Sequence, residues 1–441
     1  MGSDFFLTTI GEQVTLQRGF DITKKEQMEG NVPVVSSGGI SSFHNMAKVS
    51  SPGVVLGRKG SLGTVYYLDK DFWPHDTTLW VKDFKGNNPY YVYCFFKGMS
   101  DALKKMDVGA ANPALNRNHV HPLQVYWPKR SLQDEIVSIA SVFDKKITLN
   151  RQINHTLEQM AQALFQSWFV DFDPVFDNAL DAGIPIPAAL EPRAQRRRAV
   201  RSAPGFTPLP EDVRRLFPGA FVESPDPSVG LSGWVPEGWE THPLDQIANF
   251  QNGLALQKFR PNSEDDEFLP VLKIAHLRQG YTDGNEKAQI DIKESCRVYD
   301  GDMIFSWSGT LLIDIWTGGN AALNQHLYKV TSEKYPLSFF LHWTKHHLAR
   351  FQHIAAAKAV TMGHIKKGDL SDSICLIPSG NLVEKFNNIV DRYISQSINV
   401  RIQNRTLEEL RDTLLPKLIS GEFQLDSPEV KQTQALVGEA G

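Results

Sequence analysis

At 441 residues, with 41% hydrophobic and 22% charged side chains, the chain exceeds one ordinary core and reads as two or three globular domains. No apolar run approaches the ~18 residues that a membrane span needs, so no membrane role is expected. A net charge of −4 excludes an overall basic coat, and any nucleic-acid contact must come from local patches.

The opening stretch "MGSDFFLTTIGEQ" lacks a basic n-region and an apolar h-region, so no secretory signal is expected, and Phe6 breaks the myristoylation pattern. Three cysteines, Cys94, Cys296 and Cys375, fit neither zinc spacing nor a disulfide framework. They read as core thiols in a reducing compartment, which points to the cytoplasm, and no metal site is expected.

Along the chain, "PGVVLGRKGSLGTVYYL" has the pattern of strand, Gly-rich turn and strand, and "PYYVYCFFKGMSDALKKM" follows as a helix. A long amphipathic helix is predicted from 131 to about 169, with Ser131 as N-cap and Asp134 three residues on. Its apolar positions are Ile136, Ile139, Phe143, Ile153, Leu157, Met160 and Leu164, interrupted by Lys146 and Asn150. A connector rich in Pro, Ala and Arg follows at 173–234; its arginines read as a solvated face, with phosphate contact the second reading. "GDMIFSWSGTLLIDIW" then repeats the hairpin and "PLSFFLHWTKHHLARFQHIAAAKAV" the helix. A second long helix begins at Asn381, with Glu384 three residues on. Its seam holds Phe386, Ile389, Tyr393, Val400, Leu407, Leu410 and Leu414, interrupted by Gln396 and Gln403. A kink is predicted at Pro416 and an end at Gly421.

The two halves are copies. "RQINHTLEQM" (151–160) and "RIQNRTLEEL" (401–410) share Arg, Asn and Thr-Leu-Glu at an offset of 250, with Pro128 and Pro378 in the same register. At an offset of 249, "VVLGRKGSL" (54–62) lies over "MIFSWSGTL" (303–311), pairing Gly60 with Gly309 and Leu62 with Leu311. Tandem duplication of a globular unit plus a helix predicts a pseudo-twofold molecule with the helices paired. Two amphipathic helices packed separately on their own domains are the alternative.

No catalytic constellation stands out. "NNPYYVY" (87–93) resembles a methyltransferase base-holding loop but lacks its second proline and any Gly-rich cofactor loop, so it reads as a turn into a helix. His342 and His346 have metal-ligand spacing without the general-base Glu of a zincin, and "GRKGSLG" lacks phosphate-loop spacing. The chain reads as a binder. The matched turns keep their framework while Arg58-Lys59 gives way to Trp307-Ser308, as two readers of different sequences would. Lys97, Lys104 and Lys105 on one following helix, and Lys345, His346, His347, Arg350 and His353 on the other, suit phosphate clamping. So do the loops Asn116-Arg117-Asn118-His119 and His364-Ile365-Lys366-Lys367. A solvated basic face is the plain alternative.

Two variable units, each followed by a long helix, resemble the specificity (S) subunit of type I restriction–modification systems. "LEQMAQALFQSWFVDFDPV" and "TLEELRDTLLPKLISGEF" look like that family's two conserved regions, and "FPGAFVES" with "GWVPEGWE" like the lead-in to its second target-recognition domain. The resemblance implies an α+β fold: two pseudo-twofold-related α/β target-recognition domains, each followed by a long helix, the two helices pairing as an antiparallel coiled coil. The expected boundaries are 1–128 and 235–378 for the recognition domains, 129–172 and 379–425 for the spacer helices, 173–234 for the connector and 426–441 for a tail.

It further implies a bipartite double-stranded DNA site, read half by half, with methyltransferase (M) and restriction/motor (R) subunits as partners and the helices setting the unread gap. No cofactor is expected in this chain; S-adenosylmethionine, ATP and Mg²⁺ belong to the partners. The candidate DNA contacts are Ser36, Ser37, Arg58, Lys59, Ser61, Lys104, Lys105, Arg117 and His119 in the first domain. In the second they are Lys273, His276, Arg278, Trp307, Ser308, His353, Lys358, Lys366 and Lys367. The shared polar residues Arg151, Asn154, Glu158, Arg401, Asn404 and Glu408 are the candidate partner-docking surface. The other readings are a specificity subunit with a fused restriction–methylation partner, a fused enzyme with its own cofactor site, and a coiled-coil adaptor that binds only protein.

Overall fold

A computed structural model describes residues 4–106, 114–357 and 363–432. The chain forms two compact units, Met1–Leu149 with Thr406–Gly441, and Asn150–Arg405.

In the first unit a four-stranded antiparallel sheet runs in the order Thr15–Arg18, Thr78–Asp83, Gly53–Gly57, Val65–Leu68. The strand Gly53–Gly57 is buried along its whole length because both its faces are covered. Alternation sends Val54 and Leu56 to the main core and Val55 to a smaller cluster with Phe72 and Trp80. A second sheet orders Gly39–His44, Val32–Ser36 and Trp73–Pro74, and Phe5–Thr9 pairs with Gln124–Pro128.

The second unit repeats this plan. Its antiparallel sheet runs Asn249–Asn252, Leu327–Thr331, Met303–Ser306, Leu312–Ile315; a mixed sheet runs Lys287–Gln289, Phe268–Leu272, Ala321–Leu323, Arg297–Val298; and Glu240–Pro243 pairs with Ile374–Ile377. The parallel pairing of Val271 with Ala322 repeats that of Val34 with Trp73. After that strand the copies diverge: the first turns back as a hairpin, and the second enters a short helix, Ile274–Gln279.

"NNPYYVY" is the start of a helix. The Asn88 side chain accepts from the Tyr90 and Tyr91 N–H groups with Pro89 in the first turn, while Asn87 Oδ1 accepts from Trp127 Nε1 and Gln133 Nε2.

The first long helix spans Arg130–Phe165 and the second Gly380–Ile419, so Ser131 and Asn381 lie inside their helices rather than capping them. The first helix is tied down by Gln133, whose side chain donates to Pro128 O and accepts from Asn88 N–H. Pro416 is accommodated inside the second helix. Within the first unit Ile136, Ile139, Phe143 and Ile147 share one core with Leu407, Leu414 and Leu418, and Arg411 Nη1 donates to Asp144 at 2.7 Å.

Within the second unit the contacts run in opposite chain directions. Asn150 Nδ2 donates to Gln403 Oε1 at 2.7 Å and Asn404 Oδ1 at 2.8 Å, and Ser397 Oγ donates to Asn154 Oδ1. The pairing is antiparallel. Of the expected polar interruptions, Asn150 and Gln403 meet in the seam, whereas Gln396 faces outward and Ser397 takes the inner position.

Beyond Phe165 the first helix ends in a π-helical turn, Gln166–Val170, where apolar spacing predicts α-helix to about 169. It places Trp168 and Phe169 together in the core, at 1% and 0% exposure. The connector is folded. Arg197 makes a two-pronged pair with the buried Asp177, Arg193 pairs with Asp171, and Arg201 and Arg214 share Asp181. These arginines hold the connector's helices together and are spoken for by acids rather than free for phosphate.

His342 and His347 belong to the same core. His342 Nδ1 lies 2.6 Å from Ser338 O, and His347 Nε2 lies 3.1 Å from Ile374 O. Burial pushes the His342 pKa down to about 4 and, with the neighbouring His346, that of His347 down to about 3. Both values lie below the unfolded value of about 6.5, so the unfolded chain takes up protons first as pH falls. Stability from these rings is full above that value and is lost on descending toward 4. Melting temperature measured from pH 7 to 5 should fall, and His342→Gln should flatten the decline; an unchanged slope would show that other groups govern it.

Candidate functional site

In the first copy, hydrogen bonds tie four loops together. The N–H groups of Arg58 and Lys59 donate to Thr77 O at 2.9 and 3.0 Å, and Leu115 N–H donates to Arg58 O at 2.9 Å. Ser37 N–H reaches Thr77 Oγ1 at 3.3 Å, and Thr64 Oγ1 donates to Ser37 O at 2.7 Å. Gly60, at φ +77, makes the tight turn between the strands. Arg18 Nη2 donates to Asp76 Oδ2 at 2.6 Å, whereas Arg58 is half-buried with its Nη1 lacking a hydrogen-bond partner. Burial, and then the like charge of Arg18, lower the Arg58 pKa from the usual arginine value. Asp21, His75 and Asp76 bring ligand atoms within 4.8 Å of one another, but Arg18 already supplies the positive charge there.

The second copy rebuilds the same frame. Ile365 N–H donates to Trp307 O at 3.1 Å, as Leu115 does to Arg58, and Gly309 is again left-handed at φ +64. Gly253 N–H donates to Leu327 O and Leu254 N–H to Leu323 O, as Gly19 does to Thr78 and Phe20 to Pro74. Strand register makes Asn252 the counterpart of Arg18, Trp307 of Arg58, Ser308 of Lys59, Gln325 of Asp76 and His326 of Thr77. Trp307 Nε1 donates to Asn252 Oδ1 at 3.2 Å, and Ser308 Oγ lies 3.1 Å from His326 Nδ1. One scaffold therefore carries arginine, lysine and aspartate in the first copy and an amide, imidazole and indole set in the second.

A family model described as the type I restriction modification DNA specificity domain matches residues 4–159 and 236–409. The chain belongs to this family. It is 26% identical over 330 residues to the type I restriction enzyme HindI specificity subunit of Haemophilus influenzae, covering 70% of this chain and 71% of the relative. To the MjaIX specificity subunit of Methanocaldococcus jannaschii it is 25% identical over 352 residues, covering 76% and 69%. The crystal structure of a type I restriction–modification system S subunit from M. genitalium has a similar fold, with a TM-score of 0.52 and 14% identity over 94% of this chain and 96% of that one.

For this specificity-family chain, the structure brings Ser37, Arg58 and Lys59 together, with Ser36 and Ser61 in the same turns and the exposed Arg117 and His119 following Leu115. Lys104 and Lys105 are exposed on a short helix whose Ser100 Oγ donates to Gly63 O in the hairpin turn. In the second copy Trp307 joins Ser308, but Ser308 is buried at 4% exposure. Lys366 and Lys367 are exposed at the position matching Asn116-Arg117, and Arg278 and His353 are also exposed. His276 is buried, hydrogen-bonded to Val271 O and facing Asp283, so it is a poor candidate for DNA contact; Lys273 is paired with Glu286 at 2.5 Å. Lys358 lies outside the described residues. Among the helix cations, Lys97 faces Asp412, the half-buried His347 is bonded to Ile374 O, and Arg350 donates to Asp369 O and Ser373 Oγ, so these three are held internally, while His346 is exposed.

The proposed docking residues divide. Arg401 makes a two-pronged pair with Asp314 at 2.9 and 2.8 Å, while Asn154 and Asn404 accept hydrogen bonds across the helix pair. Their shared identity is accounted for by internal contacts. Arg151 and Glu158 are exposed and Glu408 is half-buried, and these three remain on the candidate surface. Arg18, Asp76, Asn252, Gln325 and His326 were missed. The offset of 249 would have found the pairs at 76/325 and 77/326, but Arg18 and Asn252 are 234 apart because the second copy carries extra residues between its first strands.

Proposed function

We propose that this chain is the DNA-reading, non-catalytic subunit of a type I restriction–modification complex in the cytoplasm. Each target-recognition domain reads one half of a bipartite duplex site, and methyltransferase and restriction subunits assemble on the chain, bringing S-adenosylmethionine, ATP and Mg²⁺ with them. The observation that carries this reading is the repeated hydrogen-bonded loop frame whose tips differ in chemistry: a fixed scaffold with exchanged tips suits two readers of unlike sequences. The exposed cations at Lys104, Lys105, Arg117, Lys366 and Lys367 suit phosphate contact around those tips. Arg151, Glu158 and Glu408 are the proposed docking positions.

Equilibrium DNA binding by the chain in complex with its methyltransferase partner tests this. Affinity should fall steeply with salt. Lys104→Glu with Lys105→Glu should weaken binding to all sequences alike and reduce the logarithmic salt slope by about 2. No DNA affinity in the assembled complex would favour a protein-only adaptor; a loss confined to one sequence would make these lysines base readers.

A further inference from the structure

The two tips differ in the kind of hydrogen-bonding edge they can satisfy. Arginine and lysine only donate, whereas Asn and Gln side chains offer one donor and one acceptor in a plane. In the major groove, guanine presents two acceptors, O6 and N7, and adenine presents an acceptor and a donor, N7 and N6. Donor-only tips therefore match guanine, and amide tips match adenine.

In the first copy Asp76 is satisfied by Arg18, leaving Arg58 with no acid of its own and a buried Nη1 without a partner. An unsatisfied buried donor is costly, and that cost is relieved when a ligand supplies an acceptor. Lys59, beside it, is exposed. At the matching positions of the second copy no arginine, lysine or carboxylate stands. Asn252 is exposed, its side-chain carbonyl accepting from Trp307 Nε1; Gln325 is half-buried beside His326.

We infer that the first recognition domain selects a guanine through Arg58, and that the second, where Trp307 replaces Arg58, selects an adenine through the amides of Asn252 and Gln325. This rests on the DNA-reading function proposed above. It makes the two half-sites chemically unlike, with Arg18 acting as a positioning residue that holds Asp76.

Mapping adenine methylation by the assembled methyltransferase complex separates the two ideas. A wild-type complex that methylates at no split motif removes the function itself. Given a split motif, Arg58→Gln should move the preference at one position of one half-site from guanine toward adenine, by roughly 5- to 150-fold in relative binding to the two duplexes, with the other half unchanged. A misfolded variant cannot gain a new preference, so the outcome does not depend on activity alone. Asn252→Ala and Gln325→Ala should relax an adenine in the opposite half-site. A split wild-type motif left unaltered by Arg58→Gln, or altered in both halves, overturns the assignment while leaving the function standing.

Discussion

Replacing Phe169 with alanine should destabilise the second unit by about 3–5 kcal/mol, the range for emptying an aromatic site in a packed core. Phe169 has 0% exposure and meets five aromatic neighbours: Phe386 at 4.9 Å between ring centroids, Phe165 and Phe339 at 5.5 Å, Trp239 at 5.9 Å and Trp168 at 6.2 Å. These come from the first long helix, its π-helical turn, the second recognition domain and the second long helix, so the neighbourhood is poorly placed to collapse around a void. The π-helical turn raises the cost further, because its geometry is held by the burial of Trp168 and Phe169 side by side. Denaturant unfolding followed by hydrogen exchange within residues 150–405 measures the effect. A loss under about 1 kcal/mol would mean the cluster repacks freely.

Gly253→Ala and Gly19→Ala should each cost at least about 1–3 kcal/mol, the range for forcing extra volume into a packed site. A Cβ on Gly253 would stand 2.3 Å from Asn324 O, and one on Gly19 2.1 Å from His75 O. Both obstacles are backbone, so neither can swing aside. Each glycine lets its strand approach the loop that carries Gln325-His326 or Asp76-Thr77. The functional outcome should be selective: Gly19→Ala blurs recognition of one half-site and Gly253→Ala the other. Methylation maps of the two variants check this, and an equal effect of both on both halves would contradict the pairing of domain with half-site.

The duplication, the long helices and the family were legible because they depend on patterns that repetition doubles, and the antiparallel pairing followed from the family resemblance. Two registers of Asn154 and Asn404 or Gly60 and Gly309 carry more information than either alone. What escaped was set by contacts between distant residues. Arg401 looked like a surface residue until Asp314, from a strand 87 positions away, proved to hold it. The connector arginines looked solvated because their acids lie far off in sequence, 20 positions from Arg197 to Asp177 and 33 from Arg214 to Asp181, and His276 looked like a reader because nothing local marks Asp283 as its partner. The tip chemistry was half visible: Arg58 and Trp307 align at one offset, but Arg18 and Asn252 need the shorter offset that only strand register reveals. The π-helical turn has no signature in apolar spacing, since one additional residue per turn shifts the stripe as gradual helix drift would.

The most direct test is a genome-wide map of methylated adenines in cells expressing this chain with its methyltransferase partner. A single asymmetric motif of two specific blocks around a gap of fixed length, absent without the chain, is the predicted result. Methylation that is unchanged by the chain's removal, or a motif with one uninterrupted block, would contradict a two-reader specificity subunit.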